Sequence, residues 1–151
     1  MVTVISHSPA ETSEVGEDWG RQASEGFVIG LSGDLGAGKT QLVKGIARGM
    51  GFYGRVYSPS FGLVNVYQGG RLPLFHLDLY RLDTLAQVLR AGLEEYLEPR
   101  GVTVIEWVER WLDVQGGDSR NGVLLPRRYR QVRLETISLE TRQILYEDFG
   151  S

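Results

Sequence analysis

The chain of 151 residues has no cysteine. That excludes disulfides, a thiolate zinc site and a cysteine nucleophile. Histidine occurs only at His7 and His76, too rarely for a multi-histidine metal centre. Lysine is equally scarce, because only Lys39 and Lys44 among the 16 basic residues are lysines. No apolar run approaches the roughly 20 residues that span a bilayer. The first fifteen residues carry acids, no Lys or Arg and no apolar signal core, so no secretory or transit peptide is expected, and the expected location is cytoplasmic. Sixteen basic against 19 acidic residues leave a net charge of −3, which provides no general attraction to polyanions. Chemistry therefore has to come from carboxylates, hydroxyls, lysine or backbone, and nucleic acid only through a local patch.

Glycine, by contrast, is abundant. Its 20 positions are roughly 13% of the chain against a background of about 7%, which predicts many backbone sites needing positive φ or close approach. The length predicts one domain over residues 1–151. Val2 to Ile5 is a short apolar stretch, and residues 8–24 predict an amphipathic helix. Phe27-Val28-Ile29-Gly30-Leu31 predicts a buried strand; from Thr40 on, Leu42, Val43, Ile46 and Met50 mark one helix face, with Gly49 and Gly51 expected at its C-terminal cap. Residues 61–67 and 71–79 predict a hairpin turning at Gly69-Gly70, with Leu72, Leu74, His76 and Asp78 on one face. Asp83 is the expected N-cap of a helix through Leu85, Val88 and Leu89 that Gly92 ends, and residues 93–97 add a turn or two. Val102-Thr103-Val104-Ile105 predicts a second buried strand ending at Glu106 and Trp107. A polar loop over 115–121 and a terminal hairpin from 130–137 and 142–146 complete the pattern. The expected fold is α/β, with a mixed sheet, mainly parallel at its centre, flanked by helices and finished by an antiparallel edge hairpin.

Between the first strand and its helix, Gly33 to Thr40 matches G-x-x-x-x-G-K-[ST], the phosphate-binding P-loop. A phosphate chain requires several converging backbone N–H donors, and Gly33, Gly36 and Gly38 remove the side chains that would block it. Leu35, Gly36, Ala37, Gly38, Lys39 and Thr40 are the expected phosphate binders. Lys39 would reach the β and γ phosphates, and the Thr40 hydroxyl would ligate Mg2+. Such a loop also needs an acid near the metal, and Asp78 and Glu106 both end apolar strands where the carboxyl edge of a parallel sheet would place them. The guanine-reading N-K-x-D signature cannot be built without lysine beyond Lys44, and the D-x-x-G at Asp113 to Gly116 follows no apolar strand, so ATP is the expected nucleotide.

Gly33-Asp34-Leu35-Gly36-Ala37-Gly38-Lys39-Thr40, Ser58-Pro59-Ser60-Phe61, His76-Leu77-Asp78-Leu79-Tyr80-Arg81-Leu82 and Ile105-Glu106-Trp107 together resemble the ordered signature of the TsaE (YjeE) ATPases, bacterial proteins required for threonylcarbamoyladenosine in tRNA. The resemblance implies phosphate binding by Leu35 to Thr40 and Mg2+ binding by Thr40 and Glu106. It also implies Asp78 near the γ-phosphate or metal, Trp107 bordering the site, and a switch-like loop containing Ser58 and Ser60. The family's usual Thr is Ser60 here, which keeps the hydroxyl; the Pro that often follows Glu-Trp is Val108. The implied catalytic residues are Lys39, Asp78 and Glu106, and the implied partners are TsaB and TsaD, with tRNA met weakly or indirectly.

His76 shares the Asp78 face and can orient a phosphate or a carboxylate, although a lone strand histidine is more often structural, and no catalytic role is assigned to it. Arg127, Arg128, Arg130 and Arg133 are the only dense basic cluster. They can touch tRNA or an acidic partner, or protect a solvated edge strand, with alternation expected to put Arg128, Arg130 and Gln131 on differing faces. A small-molecule kinase using this cluster as a lid, and a nucleotide-gated binding module, are the competing functional classes.

Overall fold

A computed structural model describes residues 1–34, 36–59, 63–112 and 125–150. Leu35, Ser60, the D-x-x-G string and the expected loop at 115–121 lie outside the described residues. The strands are β1 (Val2–Ser6), β2 (Phe27–Ser32), β3 (Val64–Tyr67), β4 (Leu74–Asp78), β5 (Val102–Glu106), β6 (Arg128–Thr136) and β7 (Arg142–Gly150). They form one sheet in the order β1-β7-β6-β2-β5-β4-β3. The four central strands, β6, β2, β5 and β4, run parallel. Antiparallel pairs finish both sides: β3 on β4, and β7 on β6 with β1 beyond it. The mixed α/β architecture is the expected one, with the apolar stretch at Val2 becoming an edge strand.

Period-two alternation divides the core into two layers. Ile29 and Leu31 of β2, Leu74 of β4 and Val102 and Val104 of β5 face one side, where α1 (Pro9–Gln22) and α2 (Lys39–Gly49) cover them. Val28, Leu77 and Ile105 face the other, under α3 (Leu85–Arg90) and short 3₁₀ turns at Glu94–Leu97 and Val108–Arg110. The parity of β4 and β5 puts His76, Asp78 and Glu106 on the α2 side, so strand alternation already brings these groups toward the helix that follows the glycine loop.

Helix α1 begins where Ser8 accepts the Glu11 N–H at 3.1 Å and Pro9 occupies the first turn. Helix α3 is capped by Thr84, whose hydroxyl accepts from Gln87 N at 3.2 Å while the Gln87 side chain returns to the Thr84 amide. This capping box displaces Asp83 from the expected N-cap, because Gln87 lies three residues beyond Thr84. Gly51, at φ 93°, terminates α2 as expected. Gly49 has a different role from the expected cap. It belongs to α2, and a Cβ there would lie 2.1 Å from the Glu17 carbonyl of α1.

The arginine cluster is also placed differently. Strand β6 is paired on both sides, so it is no edge strand. Arg128 and Arg130, two apart, share a face, and both guanidinium groups lie over Phe27. Arg130 is committed to the fold: it pairs with both carboxylate oxygens of Asp148 at 2.6 and 2.9 Å and stacks 4.5 Å from the Tyr146 ring centroid and 4.9 Å from that of Trp19. Arg133 pairs with Glu135 at 3.1 Å. Among the described residues, no helix is long and apolar enough to cross a membrane.

Candidate functional site

Between β2 and α2 the backbone makes the turn that the glycines predict. Gly36 and Gly38 have φ of 79° and 100°, a region that L side chains adopt only with strain. Gly38 occupies the N-cap of α2 and supplies no capping side chain, and no acid lies in the first turn. The helix therefore presents N–H groups without a side-chain acceptor at the end of a glycine turn, which suits an anion. Arg142 braces this turn from the β6–β7 hairpin. Its guanidinium donates to the Gly36 carbonyl at 3.1 Å and to the Ser138 carbonyl at 2.8 Å. No local motif in the sequence marks Arg142, because the contact joins residues 106 positions apart.

Lys39 is buried, and its ammonium donates to the carbonyls of Gly33 and, at 2.8 Å, Asp34. It also lies 4.3 Å from the centroid of the Trp107 ring. Burial lowers its pKa below the usual lysine range, while the charges of Glu106, Glu109, Asp78 and Asp34 oppose that shift. Trp107 has a left-handed backbone, with φ 59° and ψ 41°. For a bulky residue this costs about 1–3 kcal/mol and points to a conformation held in place by its surroundings. The turn sends the chain from β5 into 108–110 and puts the indole against Tyr80, with ring centroids 5.1 Å apart, and beneath the Arg110 guanidinium at 5.1 Å.

The two strand-end acids meet as register partners, Asp78 on β4 opposite Glu106 on β5. Glu106 is buried and accepts the Thr40 hydroxyl at 3.2 and 3.3 Å on its two oxygens. Its Oε2 is also 2.6 Å from His76 Nε2. The Ser58 hydroxyl lies 3.2 Å from Thr40 Oγ1. Asp78 Oδ1 accepts the Tyr80 N–H at 3.0 Å. Burial raises the Asp78 carboxyl above its usual range; the Tyr80 hydrogen bond opposes this and the Glu106 charge reinforces it. Glu109 also approaches the loop. The residue is exposed, yet burial of its carboxyl raises the pKa, against the pull of its own amide, of Lys39, of Arg110 and of the Gly33 amide. Sequence spacing did not single out Glu109; it reaches the glycine loop only because of the left-handed turn at Trp107.

These groups line a cleft of about 770 Å³ that includes Gly36, Gly38, Lys39, Thr40, Ser58, Asp78, Glu106 and Trp107, with Tyr80 and Arg81 at its wall. The volume suits a cofactor-sized molecule. Among the described residues, no cluster of three His, Asp or Glu forms an all-protein metal cage. Mg2+ does not require one: it commonly takes one or two protein oxygens and completes its shell with phosphates and water. The Thr40 hydroxyl beside the Glu106 carboxylate is a donor pair of that chemistry.

Comparison with known proteins agrees with this geometry. Residues 6–144 match the model of the family described as threonylcarbamoyl adenosine biosynthesis protein TsaE. A TsaE protein of Synechocystis is 48% identical over 102 residues, 62% of this chain and 64% of that protein, so the match spans a little under two thirds of that relative. A TsaE protein of Mycobacterium bovis is 34% identical over 149 residues, covering 93% of this chain and 82% of its own. The crystal structure of Bacillus subtilis YdiB superposes with a TM-score of 0.75 at 29% identity, over 99% of this chain and 86% of that one. The P-loop at β2–α2, the paired strand-end acids and the match over residues 6–144 together make this chain a member of the TsaE family.

Proposed function

We propose that this chain binds and hydrolyses ATP in the synthesis of threonylcarbamoyladenosine on tRNA, acting on a complex of TsaB and TsaD rather than performing the carbamoyl transfer itself. The observation that supports this most is the contact of Thr40 with Glu106 at the uncapped start of α2, directly behind the turn at Gly36 and Gly38. In this reading the backbone N–H groups from Leu35 to Thr40 bind the phosphates. Lys39 exchanges its two loop carbonyls for phosphate oxygens and neutralises their developing charge. Thr40 and Glu106 hold Mg2+, which when bound withdraws charge from the phosphate oxygens. Asp78, fixed by the Tyr80 amide, orients the attacking water or a water on the metal. Ser58 and Ser60 belong to a switch-like segment whose ordering the partners complete, and Trp107 borders the nucleotide.

A small-molecule kinase receives less support. Its lid would have come from the arginine cluster, yet Arg130 is anchored within β6 by Asp148 and two aromatic rings. The net charge of −3 leaves little intrinsic grip on tRNA, so the partners supply that contact. Steady-state phosphate release tests the reading. Slow Mg2+-dependent turnover by the chain alone, raised by TsaB and TsaD, is the expected result. Stimulation by a phosphorylated small acceptor, and none by the proteins, would replace it with the kinase.

A further inference from the structure

Glu106 is held from behind by groups that the proposed chemistry does not use. His76 is fully buried and Tyr67 is 5% exposed. His76 Nε2 lies 2.6 Å from Glu106 Oε2, and its Nδ1 lies 2.9 Å from the Tyr67 hydroxyl. That hydroxyl is 3.0 Å from the Tyr57 carbonyl and 3.4 Å from the Tyr57 amide, while Asn65 Nδ2 donates to the same carbonyl at 2.9 Å. Tyr57 precedes Ser58, whose hydroxyl returns to Thr40, and Thr40 returns to Glu106. The hydrogen bonds therefore close a ring, from Thr40 through Glu106, His76, Tyr67 and the 57–58 backbone back to Thr40.

Proton accounting gives the ring a direction. An ionised Glu106 only accepts, so Thr40 donates to it and Ser58 must donate to Thr40. His76 Nε2 likewise carries a proton toward Glu106. The Tyr67 hydroxyl has one proton and two acceptors in reach, His76 Nδ1 and the Tyr57 carbonyl. With the His76 proton on Nε2, Nδ1 takes the Tyr67 proton, the Tyr67 oxygen accepts the Tyr57 N–H, and Asn65 satisfies the Tyr57 carbonyl. The Tyr67 hydroxyl thus ties the Glu106–His76 pair to the Tyr57 backbone. Strand pairing builds the line: Asn65 lies opposite His76, Tyr67 opposite Leu74, and Asp78 opposite Glu106, so alternate residues of β3, β4 and β5 bring the polar groups to one face. Placing such a network in an apolar layer carries a desolvation penalty that a packed Leu or Phe would not, so fold stability alone does not account for it.

We propose that Tyr67 and His76 are positioning residues that set the Glu106 carboxylate toward Thr40 and couple it to residues 57–58, so that the state of the Thr40–Glu106 pair governs the order of that segment. This rests on the Mg2+–ATP reading above. Groups placed behind a metal-binding carboxylate typically affect metal affinity by about 10- to 100-fold. The test uses the full chain, unsubstituted and as Tyr67→Phe and His76→Gln. ATP binding is titrated by calorimetry with and without Mg2+, and hydrogen–deuterium exchange is followed over residues 55–58. Tyr67→Phe keeps the ring and loses the hydroxyl; His76→Gln can keep an N–H toward Glu106 while losing Tyr67.

Both variants should bind ATP without Mg2+ as the unsubstituted chain does. Both should lose the protection that Mg2+–ATP confers on 55–58, and Tyr67→Phe should need about tenfold more Mg2+ for half-maximal effect. If Tyr67→Phe does not fold, the exchange result for His76→Gln decides. Protection and Mg2+ dependence unchanged in the variants would overturn the proposal, as would an equal loss of ATP affinity with and without Mg2+, which marks a purely structural role. Failure of the unsubstituted chain to bind Mg2+–ATP would overturn the function reading itself and is seen before any variant is made.

Discussion

At the P-loop, Gly36 has φ 79° and open space, since a Cβ there would meet nothing within 4 Å; between α1 and α2, Gly45 and Gly49 lie in regular helix with no space at all. A Cβ on Gly45 would stand 2.0 Å from the Ser13 carbonyl, and from the other side one on Gly20 would stand 2.2 Å from the Ile46 carbonyl. Gly16-x-x-x-Gly20 and Gly45-x-x-x-Gly49 thus form facing small-residue seams that let two helices touch backbone to backbone. The same residue type serves dihedral freedom in one region and close approach in the other. The excess of glycine therefore has two causes, dihedral freedom at the loop and close approach at the helix seam. The seam also has a consequence for function, because α1 presses α2, whose first turn holds Lys39 and Thr40, against the sheet.

The largest expected effect would break that contrast directly. Gly45→Ala forces backbone apart and should lower unfolding free energy by about 3 kcal/mol. Gly36→Ala has room for its methyl and suffers only the left-handed dihedral, about 1 kcal/mol, while weakening ATP binding. Urea denaturation of both variants reads the difference, and equal losses would dissolve the distinction.

Lys39→Ala sharpens the contrast from the other side. Removing a charge-assisted phosphate contact should weaken ATP binding about 50-fold. Stability should hold or rise, because burial already disfavours the ammonium. Calorimetric titration beside a melting curve checks both, and unchanged affinity would remove the P-loop assignment.

The smallest effect concerns pH. Burial holds the Asp78 carboxyl above its ordinary 3.8, so the folded chain keeps this proton more tightly than the unfolded chain does. Its contribution to stability therefore falls as pH rises from 3.8 through the raised value and stays reduced above it. Asp78→Asn should raise Tm by a few degrees at most near neutrality, with the gain fading as pH falls to 3.8. A gain that persisted in acid would assign the effect to packing instead.

Much of the site was legible because its determinants are local. The loop at Gly33 to Thr40, the strand before it and the acids at two strand ends are short-range patterns, and strand alternation alone places His76 with Asp78. The N-cap of α3 went astray by one residue because Asp83 and Thr84 both cap well, and the side chain of Gln87 selects Thr84. Of the readings open for the arginine cluster, the solvated edge strand does not hold, because charge on a strand signals solvent only where the strand lacks a neighbour. Pairing of β6 on both sides, with Asp148 supplied across the β7 ladder, neutralises what the sequence left exposed.

The order of residues by itself determined the phosphate loop, the helix behind it and the strands ending at Asp78 and Glu106, because each follows from neighbours within one element. Tertiary structure alone decided that Arg142 braces Gly36, that Glu109 turns back to the loop, and that Tyr67 and His76 stand behind Glu106. Those contacts depend on sheet order and register, which are set by which faces bury together over the whole chain. Helical period and strand alternation fix which way a side chain faces within its element, while only packing between elements determines what it meets.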